Sequence, residues 1–465
     1  MKKILLLLVS SISLLLLTQC NSATSSETAS KKDCSSKACC SPLADLDDSQ
    51  PLTYQGCPGG IGEGQHIVLI AADHEYRSEE TIPALARILA KTYGFKCTVL
   101  FSVDEEGYLK AGHSNVPHMD KLNDADSLIL FARFLDLPDD QMAPLIQYLK
   151  DGKPILSLRT STHAFNNGGK GTYAHLDWKA KDTNFGRQIV GEGWAGHYGT
   201  NHKQSTRLDI IPEQANHPIL TGVDSMWVEC GGYMADPREP VTVLAMAQPI
   251  NGMTPDSPND SEKPPVPGLW TTSYTYEGGK EGQVVTSTYG ASEDIQNDGY
   301  RRSLINSALY LSGLSDKIKA DSNIDFIGVY QPTKFDMYKY VRGVKPLDHA
   351  GWETPIPVRH MTEAEFKAIE EENEKKARLM YSEIDLNPLF KGYSVKEDRS
   401  NMNATFTLEN ENLKETFEAM VKEAGINGIN GHRSVGGYRA SMYNALTLDS
   451  VKVLVEIMSE LESKA

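Results

Sequence analysis

The chain has 465 residues, of which 40% are hydrophobic and 23% charged, a composition typical of globular rather than disordered proteins. A chain of this length is expected to form two or three domains. The net charge of −16, from 46 Lys and Arg against 62 Asp and Glu, repels polyphosphate, so the sequence predicts no nucleic-acid partner.

The N-terminus has the pattern of an export signal. Lys2 and Lys3 precede an apolar run at residues 4–17, which leads to Cys20. This run is too short to span a membrane, and a basic start before it is typical of a secretory signal. Its end at a cysteine indicates a lipoprotein signal peptide over residues 1–20, with Cys20 lipidated and the protein anchored in the cell envelope. The alternative is a plain signal peptide cut elsewhere.

Residues 21–64 are rich in Ser, Lys and Gly and are predicted to be a flexible tether. The tether contains Cys34, Cys39, Cys40 and Cys57, which an oxidising compartment would allow to pair as disulfides. A metal site is the alternative interpretation. No histidine lies among these cysteines and their spacing is not that of a zinc finger, so we expect no metal.

Residues 65–315 alternate between strand and helix patterns. Apolar runs at 66–72, 95–101, 127–131, 154–158 and 282–290 predict strands, and helices are predicted near 82–90, with Pro83 in the first turn, and at 141–150 and 301–314. This alternation predicts an α/β fold with a mostly parallel sheet and flanking helices. Residues 166–267 show no clear periodicity.

Ligands of such sheets bind beyond the carboxyl ends of the strands. Glu75 and Arg77 follow the first of these strands, Arg133 follows the third, and Arg159 and His163 follow the fourth. We therefore expect these side chains to gather in one crevice at that edge.

The rest of the chain is predicted to hold an arm or linker and a small domain. Residues 316–360 contain many turn residues and are predicted to be the arm. Residues 361–465 begin with a capping box at Thr362–Glu365 and are predicted to form a small α+β domain.

Several short motifs of the body occur in an order that resembles the exported ThuA-like proteins. They cover about residues 66–314 and are Glu75–Glu80, Arg159-Thr160 with His163–Phe165, Gly196–Gly199, His217–Ile219, Gly282–Val285 and the helix with Arg301 and Asn306. The resemblance implies a flavodoxin-like sheet of the class I glutamine amidotransferase type and a link to sugar utilisation. The position of the amidotransferase nucleophile is occupied by Arg159, and a guanidinium is not a nucleophile, so no amidotransferase activity is expected.

The hypothesis for this crevice is that it binds or processes a sugar-derived or anionic small molecule. Glu75, Arg159 and His163 are the candidate catalytic residues, and Arg77, Arg133, His197 and His202 are candidates for ligand binding. Three alternatives stay open. Arg159 pairs with Glu75 and only joins two loops, the histidines hold a metal, or the protein is a non-catalytic scaffold.

A second resemblance covers about residues 366–465. The stretch Gly431–Gly437, continuing to Arg439 and to Tyr443–Ala445, is similar to the C-terminal small domain of phosphoserine aminotransferase. This similarity implies phosphate contacts for His432, Arg433 and Arg439. It also implies the alternative of a phosphoserine transaminase with pyridoxal phosphate, which needs a Schiff-base lysine. No stretch of the chain resembles that lysine site, so no cofactor is expected unless the transaminase interpretation holds.

Overall fold

The computed structural model describes residues 49–359, 363–431, 436–443 and 446–465, without the side chains of 363–366. The chain divides into two compact units, Met1–Pro357 and Val358–Ala465. The predictions for Cys20, Cys34, Cys39, Cys40, His432 and Arg433 fall outside the described residues and stay predictions. Cys57 takes part in a disulfide, whereas Cys97 and Cys230 are free and buried.

Within its described residues, from 49 onward, the first unit contains ten strands and three α-helices. The strands are β1 (Leu52–Tyr54), β2 (His66–Ala72), β3 (Lys96–Phe101), β4 (Ser127–Ala132), β5 (Ile155–Leu158), β6 (Ser205–Ile210), β7 (Met226–Val228), β8 (Val241–Ile250), β9 (Val266–Thr275) and β10 (Glu281–Ser287). The helices are α1 (Ser78–Lys91), α2 (Asp139–Lys150) and α3 (Asp298–Leu311). All ten strands form one sheet, in the order β1-β3-β2-β4-β5-β10-β9-β8-β6-β7.

The centre of this sheet is parallel, since β2 pairs in parallel with β3 and β4, and β5 pairs in parallel with β4 and β10. Every residue of β2 and β4 is buried, as expected for strands covered on both faces by helices. The predicted α/β class is confirmed.

The region that showed no clear periodicity, 166–267, contains β6, β7 and β8 and the first two residues of β9, and these four strands form an antiparallel extension of the sheet. These strands were not predicted. β8 contains a bulge between Val243 and Met246 and β9 contains Pro267 and Gly268, which interrupt the alternation that identifies a strand in sequence.

The prediction for Pro83 is wrong. Helix α1 begins at Ser78, directly after the Glu75–Arg77 turn, so Pro83 lies inside the helix instead of in its first turn. The helix tolerates the lost backbone hydrogen bond because its residues from Glu80 to Ala90 are all buried against the body.

The segment predicted as an arm packs onto the first unit. Arg87 of α1 is fully buried and donates hydrogen bonds to the carbonyls of His349 (2.7 Å) and Thr354 (2.5 Å) and to the Tyr54 hydroxyl (3.1 Å). Trp352 stacks on the Tyr54 ring at 5.4 Å. These contacts fix the end of the arm to the edge of the sheet.

The arm also contains a histidine whose burial makes stability depend on pH. The ring of His349 stacks on Phe101 at 5.3 Å, and both of its nitrogens are buried without a hydrogen-bond partner. Burial, reinforced by the charge of Arg87, lowers the pKa of His349 from 6.5 to about 3. The folded state therefore keeps this ring neutral in a range where the unfolded chain binds a proton, and stability is lost as the pH falls below 6.5.

Replacing His349 with phenylalanine should remove this contribution. Between about pH 6 and pH 5, the wild-type chain should lose about 1 kcal/mol more of its free energy of unfolding than His349→Phe does. Urea unfolding at a series of pH values measures this difference, with His113→Phe at a partly exposed histidine as the control. Parallel pH dependences of the wild-type and His349→Phe proteins would contradict the assignment.

The second unit is a small α+β domain, as predicted. It consists of α4 (Glu363–Leu386), β11 (Phe390–Gly392), β12 (Asn403–Leu408), α5 (Lys414–Glu423), β13 (Tyr438–Ser441) and α6 (Leu448–Lys464). Its three strands form an antiparallel sheet with β12 in the centre, and apolar residues of the helices and strands form one core. In neither unit does a described helix have the length and apolar character needed to cross a membrane.

Candidate functional site

The loops at the carboxyl ends of β2 and β5 are joined by a buried carboxylate. Asp73, directly after β2, accepts hydrogen bonds from the backbone N–H groups of Glu75 (2.8 Å) and Tyr76 (2.5 Å). Its other oxygen accepts a hydrogen bond from the Thr160 hydroxyl at 3.0 Å. Asp73 thereby fixes the loop that carries Glu75. Sequence reasoning did not identify it, although its place at the end of β2 was a usable signal.

Glu75 and Arg133 form an ion pair at this edge, and their side chains are only 13% and 8% exposed. Arg133 follows β4, the neighbour of β2, so the pairing joins two adjacent strand ends. The alternative in which Arg159 pairs with Glu75 is wrong, because the guanidinium that meets Glu75 is that of Arg133.

Arg159 occupies a strained turn directly after β5, with φ of 47°. A positive φ is rare for a side chain of this size. It is the tight strand-to-turn position that the sequence resemblance assigned to the amidotransferase nucleophile.

The Arg159 side chain is fully buried, and it donates hydrogen bonds to the carbonyls of Gly231 (2.6 Å) and Thr288 (2.8 Å). The guanidinium carbon lies 4.1 Å from the ring centres of both Tyr76 and Tyr233. The expectation that Arg159 points into an open crevice is therefore wrong, because its guanidinium is fully buried between two carbonyls and two tyrosine rings.

His163 also lies close to Tyr233, in a cluster of rings. Its ring centre is 4.9 Å from that of Phe134, 5.1 Å from that of Trp194 and 5.6 Å from that of Tyr233. Nδ1 shares a hydrogen bond of 3.0 Å with the Thr162 hydroxyl. Nε2 is buried and has no partner. Burial, together with the positive charges of Arg133 and Arg159, lowers the pKa of His163 well below its usual value, so its imidazole is neutral.

Two tryptophans extend this cluster. Trp178 lies 5.2 Å from Phe134 and 5.7 Å from Trp194, and Trp194 lies 5.8 Å from the exposed ring of His197. The indole Nε1 atoms of both tryptophans are buried without a hydrogen-bond partner. We call the five residues Phe134, His163, Trp178, Trp194 and Tyr233 the aromatic cluster. Of the predicted residues, His163 belongs to this cluster, and Arg133 and His197 contact it. Glu75 is connected to the cluster through its ion pair with Arg133. The tryptophans were not predicted, because they lie where the sequence shows no periodicity.

Arg77 and His202 have other partners. Arg77 is buried and donates to the Thr333 hydroxyl (3.0 Å) and the Lys334 carbonyl (3.2 Å). The exposed ring of His202 stacks on Phe335 at 4.4 Å. The prediction that these two residues contact the ligand is not supported, since both hold the segment Thr333–Tyr338, which we call the strap.

The strap is fixed to the body and reaches the crevice. Glu80 accepts a hydrogen bond from the Thr333 N–H (2.8 Å), and Glu293 accepts one from the Phe335 N–H (3.1 Å). At its far end, Met337 Sδ lies 3.7 Å from Nη1 of Arg133. The Tyr338 ring stacks on the His74 ring at 4.9 Å. The strap thus forms one wall beside the Glu75–Arg133 ion pair.

No group of three or more potential metal ligands was found within the described ranges. In the second unit, Arg439 lies exposed on β13 and contributes to a cavity of about 380 Å³, whose lining also includes Ile426, Ile429 and Leu454. The other two predicted phosphate contacts belong to the residues that are not described.

The first unit is thus an α/β protein with a candidate ligand site at the carboxyl edge of its parallel strands. No family model matches the chain. A segment is similar to the phosphoserine aminotransferase of Flavobacterium psychrophilum, with 66% identity over 99 residues, which are 21% of this chain and 28% of that relative. The chain therefore spans less than a third of the curated relative, and the predicted resemblance is confirmed for that segment.

Solved structures described as putative ThuA-like proteins also match. The protein from Bacteroides uniformis is 12% identical, with a TM-score of 0.35 over 55% of this chain and 95% of that chain. The protein from Parabacteroides merdae is 14% identical, with a TM-score of 0.35 over 62% of this chain and 99% of that chain. At these values the likeness transfers no activity.

Proposed function

We propose that the first unit binds, and in its natural setting processes, an uncharged sugar-derived small molecule at the aromatic cluster, as an exported, envelope-anchored protein. One observation carries the proposal. Nε1 of Trp178, Nε1 of Trp194, Nε2 of His163 and Nε of Arg133 are all buried without partners. Buried polar atoms are nearly always hydrogen-bonded, so four unpartnered nitrogens in and beside the aromatic cluster call for a ligand rich in hydroxyl groups.

The rings and charges of the site support a sugar over an anion. Indole faces pack against the C–H faces of a sugar ring, while the indole N–H groups donate to its hydroxyls. Arg133 is already neutralised by Glu75, and Arg159 is enclosed by tyrosine rings and carbonyls. The charge of Arg133 is thus already balanced by a carboxylate, and Arg159 is fully buried behind these contacts, although its Nε and Nη2 have no hydrogen-bond partner.

His163 supplies the chemical reactivity in this proposal. A neutral imidazole with an unpartnered Nε2 accepts a hydrogen bond from a ligand hydroxyl, which is the geometry that proton transfer requires. Glu75, held by Arg133, lies at the same edge and orients the ligand. Chromatography of a bound saccharide after incubation separates an enzyme from a binding protein, because only an enzyme alters it.

Binding is tested with the Trp194→Phe variant. Phenylalanine keeps a ring in the cluster but removes the N–H donor, so the affinity for a neutral saccharide should fall about three- to tenfold. Titration calorimetry with a panel of neutral mono- and disaccharides measures the change. Trp227→Phe is the matched control, because Nε1 of Trp227 already bonds Ser205 at 3.0 Å. Failure of every neutral saccharide to bind the wild-type protein would refute the proposal.

A second candidate is phosphoserine transamination, which the 66% identity of one segment favours. That activity requires pyridoxal phosphate on a lysine. Among the described lysines, the fully buried one is Lys376, and its ammonium donates to the carbonyls of Met442 (3.2 Å), Tyr443 (3.1 Å) and Leu446 (3.0 Å). Three such bonds use all of its N–H groups, so Lys376 does not fit a Schiff base. Visible absorbance after reconstitution of the full chain with pyridoxal phosphate would support transamination, and its absence would remove it.

A further inference from the structure

The strap leaves apolar surface exposed beside the crevice. Met337 is 42% and Tyr338 55% exposed, and Met234, the neighbour of Tyr233 in the aromatic cluster, is 49% exposed. Large apolar side chains are normally covered, and an exposed group of them beside polar groups is typical of a binding surface. Met337 and Tyr338 lie beside the candidate site through their contacts with Arg133 and His74, and Met234 follows Tyr233 in sequence.

Tyr338 is held in place at a conformational cost. Its φ is 56°, a left-handed conformation that is unfavourable for a bulky residue. Its N–H donates to the His74 carbonyl at 2.7 Å, and one face of its ring stacks on His74. Backbone strain of this kind persists where the surroundings over-determine it and is concentrated at functional sites.

Contacts connect this surface to the crevice. Met337 touches Arg133, which pairs with Glu75, and His74 lies 6.4 Å from Phe134 of the aromatic cluster. A ligand in the crevice would therefore reach Tyr338 with a second group extending from its first ring. An apolar or aromatic group suits the exposed Tyr338 ring and the Met337 thioether.

We propose that Met337 and Tyr338 form a second subsite, which binds the apolar or aromatic aglycone of a glycoside whose sugar ring lies against the aromatic cluster. This inference rests on the proposed sugar site and deepens it, since it assigns the substrate class to glycosides with an apolar substituent. In this proposal Tyr338 contacts the aglycone and determines specificity for it, whereas Trp178 and Trp194 contact the sugar ring.

The test compares matched ligands that differ in the aglycone. Methyl and para-nitrophenyl glucopyranosides, each as α and β anomers, are titrated into the full chain. The para-nitrophenyl glucoside should bind more tightly than the methyl glucoside. Tyr338→Ala should weaken the aryl glucoside about three- to tenfold and leave the methyl glucoside within about twofold. Tyr338→Phe should restore aryl binding, because it keeps the ring.

Tyr393→Ala is the matched control, since Tyr393 is a 63% exposed tyrosine of the second unit. Met337→Ala is the second variant, and thermal unfolding shows whether each protein is folded. Equal loss for both glucosides in Tyr338→Ala, or no aryl preference in the wild-type protein, would overturn the aglycone subsite while leaving the sugar site intact. If none of the four glucosides binds, the aglycone subsite is overturned, and the panel of neutral saccharides decides separately whether the sugar site stands.

Discussion

Replacing Arg159 with alanine should lower the free energy of unfolding of the first unit by about 3 kcal/mol or more. The carbonyls of Gly231 and Thr288 lose their donor, and each buried acceptor left unpaired costs about 1–3 kcal/mol. The contacts of the guanidinium with the rings of Tyr76 and Tyr233, both at 4.1 Å, are lost as well, at about 1–2 kcal/mol for a desolvated cation. Urea unfolding followed by tryptophan fluorescence measures the change.

Two further variants separate these contributions. Arg159→Met keeps most of the volume but leaves both carbonyls unpaired, so it should lose about 2–3 kcal/mol. Arg207→Ala is the control at a surface arginine, which pairs with Asp209 and is 35% exposed, and it should change stability by less than about 1 kcal/mol. A stability of Arg159→Ala within about 1 kcal/mol of the wild type would show that Arg159 is not the structural centre assigned to it.

The role of Arg159 explains how the strained turn after β5 persists without a nucleophile. In an enzyme, such a turn presents a reactive side chain at the strand end. Here the side chain turns inward and is clamped between Tyr76 and Tyr233, so packing holds the positive φ. In the proposed function the reactive group is instead His163, at the far end of the same short turn (Arg159–His163).

The parallel centre of the sheet was predictable from sequence, because strands buried on both faces appear as continuous apolar runs. The run at 66–72 coincides with β2, and the run at 127–131 ends one residue before β4 does. The same rule placed Glu75, Arg133 and His163 at one edge, where the structure brings them together. Side-chain direction was not predictable, since the residues at a strand end face either a crevice or the core, and Arg159 faces the core.

The rest of the site depends on long-range packing that local patterns do not record. Trp178 and Trp194 join the crevice from a region without periodicity. The partners of Arg77 and His202 lie in the strap, more than 100 positions further along the chain. A pair of half-buried tryptophans and an arm that returns to the sheet can be recognised only in the folded chain.

Asp294→Ala should have the largest effect on stability in the first unit. One oxygen of this fully buried carboxylate accepts from the N–H groups of Glu229 (2.8 Å) and Cys230 (3.2 Å). The other accepts from Gly290 (3.1 Å), Ala291 (2.9 Å) and the Cys230 thiol (2.8 Å). Alanine leaves four amides without an acceptor, so a loss of about 4 kcal/mol or more is expected, which is comparable with the whole stability of many domains.

A conservative variant at Asp294 and a control at a surface aspartate show whether the loss of stability comes from the buried hydrogen bonds. Asp294→Asn keeps one oxygen for two of the amides but turns an NH₂ group toward the others, so about 2–4 kcal/mol should be lost. Asp316→Ala, at a carboxylate that is 69% exposed and pairs with its neighbour Lys317, should change stability by less than about 1 kcal/mol. Chemical denaturation of the three variants gives the values, and a loss below about 1 kcal/mol for Asp294→Ala would contradict the prediction.

Asp294 and Arg159 act on the same two chain segments. Asp294 binds the amides of residues 229–230 and 290–291, and Arg159 binds the carbonyls of residues 231 and 288. The double variant should therefore lose less stability than the sum of the losses in the two single variants, because the first change already releases the segments that the second would release. Tyr233 follows one of these segments, so a folded Asp294→Asn protein should also bind neutral saccharides more weakly. Full additivity of the two stability losses would show that Asp294 and Arg159 hold the two segments independently. An unchanged saccharide affinity of Asp294→Asn would show that these segments do not position Tyr233 for binding.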